Sequence, residues 1–336
     1  MNFNYYQLYG LILKTKHSIK HLCKVTNYNN IDVVINFQVK QTNQDYPFSE
    51  RHTQIYSSWG MSPSGVPYLT IWKQPEVNKQ FLIIRYINDK EETAFFISDK
   101  QGKEITVDHH PNVPINDIYT YLLGPVIGCV LRLKNKVCLH ASVVNINQKA
   151  VAFLGEKTAG KSTLIAKFAE SGYPVLSDDI AVLTKNGNEF YVTPGYPRLR
   201  LWRKSLVEIK TFNIETLTHV LEGTDKFYLP LNETGNNTWL FQDKPLPLAA
   251  VIYLNDRNEK DYIAIDELSP IDRFLKLKTH IYAEYMLDTF LIKKEFEFFG
   301  KISQQLPVVS LDRPNDLEYL KATRQLIVKW VKSIQA

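Results

Sequence analysis

The sequence predicts a chain of the α/β (α+β) class, with a smaller β-rich N-terminal part ahead of a larger part built around a glycine-containing strand-to-helix loop. Three observations predict it. Short β-branched and aromatic runs crowd residues 31–109. The stretch Gly155-Glu-Lys-Thr-Ala-Gly160-Lys161-Ser162 joins an apolar run, Ala150–Leu154, to an amphipathic segment, Lys161–Glu170. Strand-like and helix-like segments then follow to the end of the 336 residues. The expected division is 1–115 and 116–336.

Residues 1–22 read as a short amphipathic helix, because Tyr5, Leu8, Ile12 and Ile19 share one side at helical spacing. Ile31–Phe37, Tyr68–Trp72, Phe81–Tyr86, Thr93–Ser98 and Glu104–Asp108 then read as strands. Turn material such as Ser62-Pro-Ser-Gly65 and Lys100-Gln-Gly-Lys103 separates them. They make a small antiparallel unit that carries no chemical motif and serves packing or substrate presentation. Pro114–Leu133 reads as a helix with Asn116 as its N-cap and Gly124-Pro125 as an interior kink.

Val137–Val144, a turn at Asn145–Gln148 and Ala150–Leu154 form a hairpin that leads into the loop. The helix after the loop is stopped by Gly172 and Pro174. Tyr173–Leu176, Ile180–Thr184, Glu189–Thr193, Arg198–Trp202 and Leu248–Leu254 read as further strands. The polar, turn-rich stretch 232–244 reads as a mobile loop. The last sixty residues are helical apart from Leu306–Pro314, which reads as one more strand and a turn.

Bulk properties exclude several classes. Hydrophobic content of 44% and charged content of 22% are those of a folded soluble protein. A net charge of +5, spread along the chain, lacks the dense basic stripe of a nucleic-acid surface. Three cysteines without repeated spacing give neither a disulfide framework nor a zinc pattern. Asn, Tyr and Gln stand where a signal peptide would be apolar, and no apolar run approaches a membrane span. The expected setting is the cytoplasm, with no membrane partner.

The loop fits G-x-x-x-x-G-K-[ST]. Glycines let the backbone bend around an oxyanion and expose its N–H groups; the lysine reaches the outer phosphates, and the hydroxyl ligates Mg²⁺. Asp178-Asp179 follows Ser162 by sixteen residues at the end of an apolar strand. In a βαβ unit that strand would lie beside the loop strand and aim the acids at the γ-phosphate. One carboxylate could then hold Mg²⁺ with Ser162, and the other accept the proton of an attacking hydroxyl. His140, in the strand before the loop strand, could project into the same cleft.

The run Leu139-His140-Ala-Ser-Val-Val, the loop Gly-Glu-Lys-Thr-Ala-Gly-Lys-Ser-Thr and the run Ser177-Asp-Asp-Ile-Ala-Val182 resemble the catalytic domain of the HPr serine kinase/phosphorylase family. They are most similar to the HPr-kinase-like serine kinases encoded with lasso-peptide biosynthesis genes. The resemblance spans about residues 120–330 and includes Pro194–Trp202 and Leu306–Pro314. It implies a P-loop catalytic domain of the phosphoenolpyruvate-carboxykinase-like, HPr-kinase-like fold. It also implies an ATP- and Mg²⁺-dependent serine kinase whose partner is a peptide or small protein bearing an acceptor Ser, such as a lasso-peptide precursor ending in Ser. The family is hexameric, so a homo-oligomer is compatible with it.

Carried over by position, Gly155, Glu156, Lys157, Thr158, Ala159, Gly160, Lys161, Ser162 and Thr163 would bind ATP, with Lys161 also counted as catalytic. Asp178 would be the general base, Asp179 and Ser162 the metal ligands, and His140 a neighbour of the transferred phosphoryl group. Arg198, Arg200 and Lys226 would neutralise triphosphate charge. Two departures point away from HPr as substrate and from phosphorylase activity. The loop reads Lys-Thr-Ala-Gly followed after the Ser by Thr163, where HPr kinases carry Ser-Gly-x-Gly and an acid. The family's later Glu-x-Arg-Gly signature has no counterpart. A non-catalytic ATP-binding docking module and a kinase of a small metabolite are the alternative readings.

Overall fold

Period-two alternation, not helical spacing, organises the N-terminal residues. Tyr6, Leu8, Leu11 and Leu13 are buried while Gln7 and Gly10 between them are exposed. Tyr9 and Gly10 both have positive φ (52° and 74°), as a two-residue hairpin turn of the I′ kind requires. The helix expected over 1–22 is therefore a hairpin of β1 (Asn4–Leu8) and β2 (Leu11–Thr15). The computed structural model describes residues 2–40, 50–77, 80–209, 212–232, 238–257 and 261–335. They form a mixed α/β chain in two compact units, Met1–Lys136 with Ala283–Leu287, and Val137–Tyr282 with Asp288–Ala336.

In the first unit the hairpin joins β3 (Cys23–Lys24), β4 (Val33–Val39), β5 (Thr53–Ser57), β6 (Leu69–Val77), β7 (Gln80–Ile87), β8 (Thr93–Ser98) and β9 (Glu104–His109). The nine strands lie in the order β3-β1-β2-β4-β9-β8-β7-β6-β5. The expected all-antiparallel unit is instead mixed, because β4 runs parallel to both β2 and β9. α1 (Ile115–Tyr121) begins after Pro114, whose extended ψ of 130° ends the preceding loop; Asn116 lies inside the helix and does not cap it. Gly124 and Pro125 fall in a π-helical turn, Leu122–Val126, before α2 (Ile127–Leu133). A proline cannot donate to the helical ladder, and a widened turn absorbs that loss.

These helices pack on the first sheet. The Tyr86 hydroxyl donates to Asp117 at 2.7 Å, and its ring stacks on Tyr121 at 4.2 Å. Val130 lies so near Gly102 that a Cβ there would come within 3.0 Å of it. The boundary accordingly falls after Lys136, not after residue 115.

The second unit is built on β10 (Val137–Ile146), β11 (Lys149–Leu154), β12 (Val175–Asn186), β13 (Glu189–Thr193), β17 (Leu246–Leu254), β18 (Ala264–Glu267) and β19 (Val308–Asp312). Between β13 and β17 come β14 (Arg198–Trp202), β15 (Thr218–His219) and β16 (Lys226–Pro230), a separate three-stranded sheet. The large sheet runs β11-β10-β12-β13-β17-β19-β18, and β11 also pairs with β17, so its first five strands close on themselves. β12 is one continuous strand where two were expected. It does not lie beside the loop strand: β10 intervenes, antiparallel to both, because the hairpin before the loop claims that edge of β11.

Odd-numbered residues of β10 (Val137, Leu139, Ala141, Val143) face an apolar cluster that takes in Leu277 of α5 (Pro270–Lys278) and Phe299 and Ile302 of α6 (Thr289–Gln305). The even-numbered face is left to α3 (Lys161–Glu170), which packs near α4 (Arg203–Ile209) and α7 (Leu320–Gln335). Of the polar stretch 232–244, residues 233–237 lie outside the described residues. Beyond them Trp239 is buried and its N–H donates to Ala169 at 2.9 Å, so that part is anchored. Among the described residues no helix is long and apolar enough to cross a membrane.

Candidate functional site

β11 ends at Leu154, and the chain turns sharply before α3. Gly155 takes φ 148°, and a Cβ there would lie 2.9 Å from the Leu254 carbonyl and 3.1 Å from Ala159. Thr158 (φ 73°) and Gly160 (φ 92°) also take positive φ, and Gly160 stands at the N-cap of α3 without a side-chain cap. The first N–H groups of α3 have no capping side chain and carry the positive end of the helix dipole, which suits an oxyanion.

The loop opens on a cavity of about 650 Å³ within the second unit. Of the loop residues expected to bind nucleotide, Lys157, Thr158, Gly160, Lys161, Ser162 and Thr163 line it. Gly155, Glu156 and Ala159 do not. The carbonyls of Gly155 and Glu156 accept from Lys161 Nζ at 2.6 and 3.3 Å, and that of Ala159 accepts from Arg313. Burial pulls the Lys161 ammonium below its ordinary pKa, an effect that Asp178, Asp179 and Glu156 oppose.

His140, Asp178, Asp179, Arg200 and Lys226 line the same cavity. Asp178 pairs in register with Ser142 on β10, and the Ser142 hydroxyl donates to its Oδ1 at 2.8 Å. The next residue should face the apolar cluster, since it pairs with Ala141. A φ of 156° at Asp179 breaks the alternation and brings the second carboxylate to the cavity. Such backbone costs on the order of 1–3 kcal/mol and persists where its surroundings enforce it.

Arg200 supplies that enforcement. Its backbone N–H donates to Asp178 Oδ2 at 2.8 Å, and its Nη1 donates to Asp179 Oδ2 at 3.0 Å. Burial raises the Asp179 carboxyl, but Arg200, then His140, Lys226 and Lys161, outweigh it and hold the group below the usual carboxylate range. His140 Nδ1 stands 3.7 Å from Asp179 Oδ1, its ring lies parallel to Tyr282, and its backbone N–H donates to the His280 carbonyl at 2.7 Å. Desolvation lowers the His140 pKa against the pull of Asp179, favouring neutral imidazole. Lys226 is likewise lowered by burial and opposed by Asp178.

Arg198 does not line the cavity. Its guanidinium is held between Tyr196 (4.1 Å) and Tyr228 (3.8 Å), a cation–π sandwich that fixes β14 against β16. Sequence reasoning missed Ser142, although alternation from His140 on one strand would have found it. It also missed Trp202, Ser205 and Arg257, which line the cavity.

Ser162 and the two acids form a donor set of one hydroxyl and two carboxylates. Among the described residues no group of three or more His, Cys, Asp or Glu gathers to cage a metal. A Mg²⁺ at a nucleotide site takes one or two protein carboxylates and completes its shell with phosphate and water, so these residues fit it.

A scan against protein-family models finds no match, and a search of the curated proteins finds none. Among solved structures, the HPr(Ser) kinase/phosphatase from Coxiella burnetii aligns over 59% of this chain and 99% of its own, at 10% identity and a TM-score of 0.30.

Proposed function

We propose that the chain is an ATP- and Mg²⁺-dependent serine kinase, with the second unit as an HPr-kinase-like P-loop catalytic domain. The observation that carries the reading is convergence: one cavity holds the phosphate loop, an acid pair bridged by Arg200, and His140. A pure nucleotide binder has no use for a second carboxylate held there on strained backbone.

The loop N–H groups and Lys161 would bind the β- and γ-phosphates, and Ser162 and Asp179 would hold the metal, which neutralises charge on the phosphates. Asp179 suits that part because its cationic neighbours keep it ionised. Asp178 is the base. Each of its oxygens accepts one hydrogen bond and keeps a lone pair free for the proton of the attacking hydroxyl. The hydroxyl oxygen attacks the γ-phosphorus, the bond to the β-phosphate oxygen breaks, and ADP leaves. Neutral His140 stands next to Asp179 to orient the acceptor.

The acceptor we propose is a Ser hydroxyl in a peptide or small protein. A lasso-peptide precursor ending in Ser is the instance that the motif resemblance suggests. The test is mass spectrometry of candidate peptides incubated with the chain, ATP and Mg²⁺. A phosphorylated Ser is expected from the native chain. Asp178→Asn should abolish transfer while ATP still binds. Nucleotide turnover without a phosphorylated acceptor, or undiminished transfer by Asp178→Asn, would overturn the reading.

A further inference from the structure

The acids reach the cavity from one side of the loop strand, through β10 and β12. On the other side β11 runs parallel to β17, and β17 to β19, so the C-terminal ends of all three emerge together. Ligand-binding groups collect at such ends. Just beyond β17 stands Arg257; just beyond β19 stands Arg313.

Arg313 is 3% exposed. Its Nη2 donates to the Ala159 carbonyl of the loop, while its Nη1 is buried without a hydrogen-bond partner among the described residues. Arg257 lies over the loop, its guanidinium where a side chain at Gly160 would begin, and it lines the cavity. Its one hydrogen bond among the described residues is a long 3.5 Å contact to Asn315 Oδ1. Neither arginine has a carboxylate partner among the described residues. Burial, and then the charge of Arg257, press the Arg313 pKa down to about 10. Two neighbouring guanidiniums, one fully desolvated, are costly unless an anion joins them.

We propose that Arg257 and Arg313 form a second anion-binding element on the side of the loop away from the acids, in which Arg257 contacts the phosphates of a bound nucleotide and Arg313 positions the loop beneath it. The proposal rests on the nucleotide-binding reading above. Arg313 cannot leave Ala159 without baring that carbonyl, so it is the fixed member. Arg257, attached past the end of a strand and only weakly tethered, is the member that moves onto the ligand. Gly160 then has two reasons to be glycine: its positive φ, and the guanidinium that passes over it.

Equilibrium titration of the full chain with ATP, ADP and adenosine tests this. Charge-assisted hydrogen bonds of this kind change affinity by about 10- to 100-fold. Arg257→Ala is expected to weaken ATP and ADP by at least about tenfold and to leave adenosine unchanged, with Arg257→Lys recovering part of the loss. Arg313→Lys, which keeps a cation at the loop, should weaken ATP less than Arg257→Ala. If Arg257→Ala binds ATP within about twofold of the native chain, or loses adenosine as strongly as ATP, the arginine is not a phosphate ligand. A native chain that binds none of the three would instead sink the nucleotide reading itself.

Discussion

The two ends of the seven-stranded sheet are built on opposite terms. At the end where β11 and β17 finish, positive φ at Gly155, Thr158, Gly160 and Asp179 coincides with buried Lys161, Asp178 and Arg313. At the end where those strands begin, the hairpin turns carry positive φ, at Asn147, Gln148 and Gly187. The cavity there, about 440 Å³, is lined by Phe190, Leu248, Pro307 and Ile334 together with polar residues such as Lys149, Glu189 and Gln305. One sheet therefore separates its tasks. Desolvated charge and strained backbone weaken a fold, and here they are gathered at the Gly155–Ser162 loop, while the far end supplies the packing that tolerates them.

That contrast predicts opposite signatures for substitutions at the two ends. At the loop end, Lys161→Met removes a buried cation and keeps its volume. Phosphoryl transfer should fall ~10³-fold, as for other preorganised charges at a reacting oxyanion. The thermal unfolding midpoint should change little, because the desolvation cost that Met avoids offsets the hydrogen bonds to the Gly155 and Glu156 carbonyls that it loses. A clear drop in midpoint would mean that the charge is structural. At the far end, Phe190→Ala deletes a ring that is 2% exposed and packs edge-on against Phe298 at 5.2 Å. It should cost about 3 kcal/mol in denaturant unfolding, with nucleotide affinity of the folded protein unchanged. Lost affinity at full folding would show that the ends are coupled.

What the sequence disclosed follows the same division. The loop was legible because its chemistry is local: glycines at required φ, then lysine and serine at fixed offsets. The acid pair was legible as a motif, but not how both acids reach one cavity. The expected strand order was wrong, and the bent backbone at Asp179 has no sequence signature. Arg198 and Arg200 look equivalent two positions apart. The rings of Tyr196 and Tyr228, one of them distant in sequence, hold the first away from the site. Arg257 and Arg313 were invisible because strands far along the chain deliver them to the loop. At the N-terminus, Tyr5, Leu8, Ile12 and Ile19 imitate a helix, and the Tyr9-Gly10 turn overrules them.

Arg200 offers the finest separation of the two kinds of work, since its backbone serves Asp178 and its side chain serves Asp179. Arg200→Gln keeps the N–H that donates to Asp178 and removes the largest influence holding Asp179 ionised. In the native chain the folded Asp179 pKa lies below its unfolded value. Its contribution to stability is thus fully present above the unfolded pKa and disappears as pH falls through the folded one. In Arg200→Gln the folded pKa should rise. Both the loss of stability and the acid limb of kcat/KM should then move to higher pH, because the metal-holding role proposed for Asp179 needs a charged carboxylate. Transfer at neutral pH should fall far less than in Lys161→Met. The pH–rate profile of the variant checks this. An unmoved acid limb would place the controlling ionisation elsewhere and leave Asp179 a structural partner of Arg200.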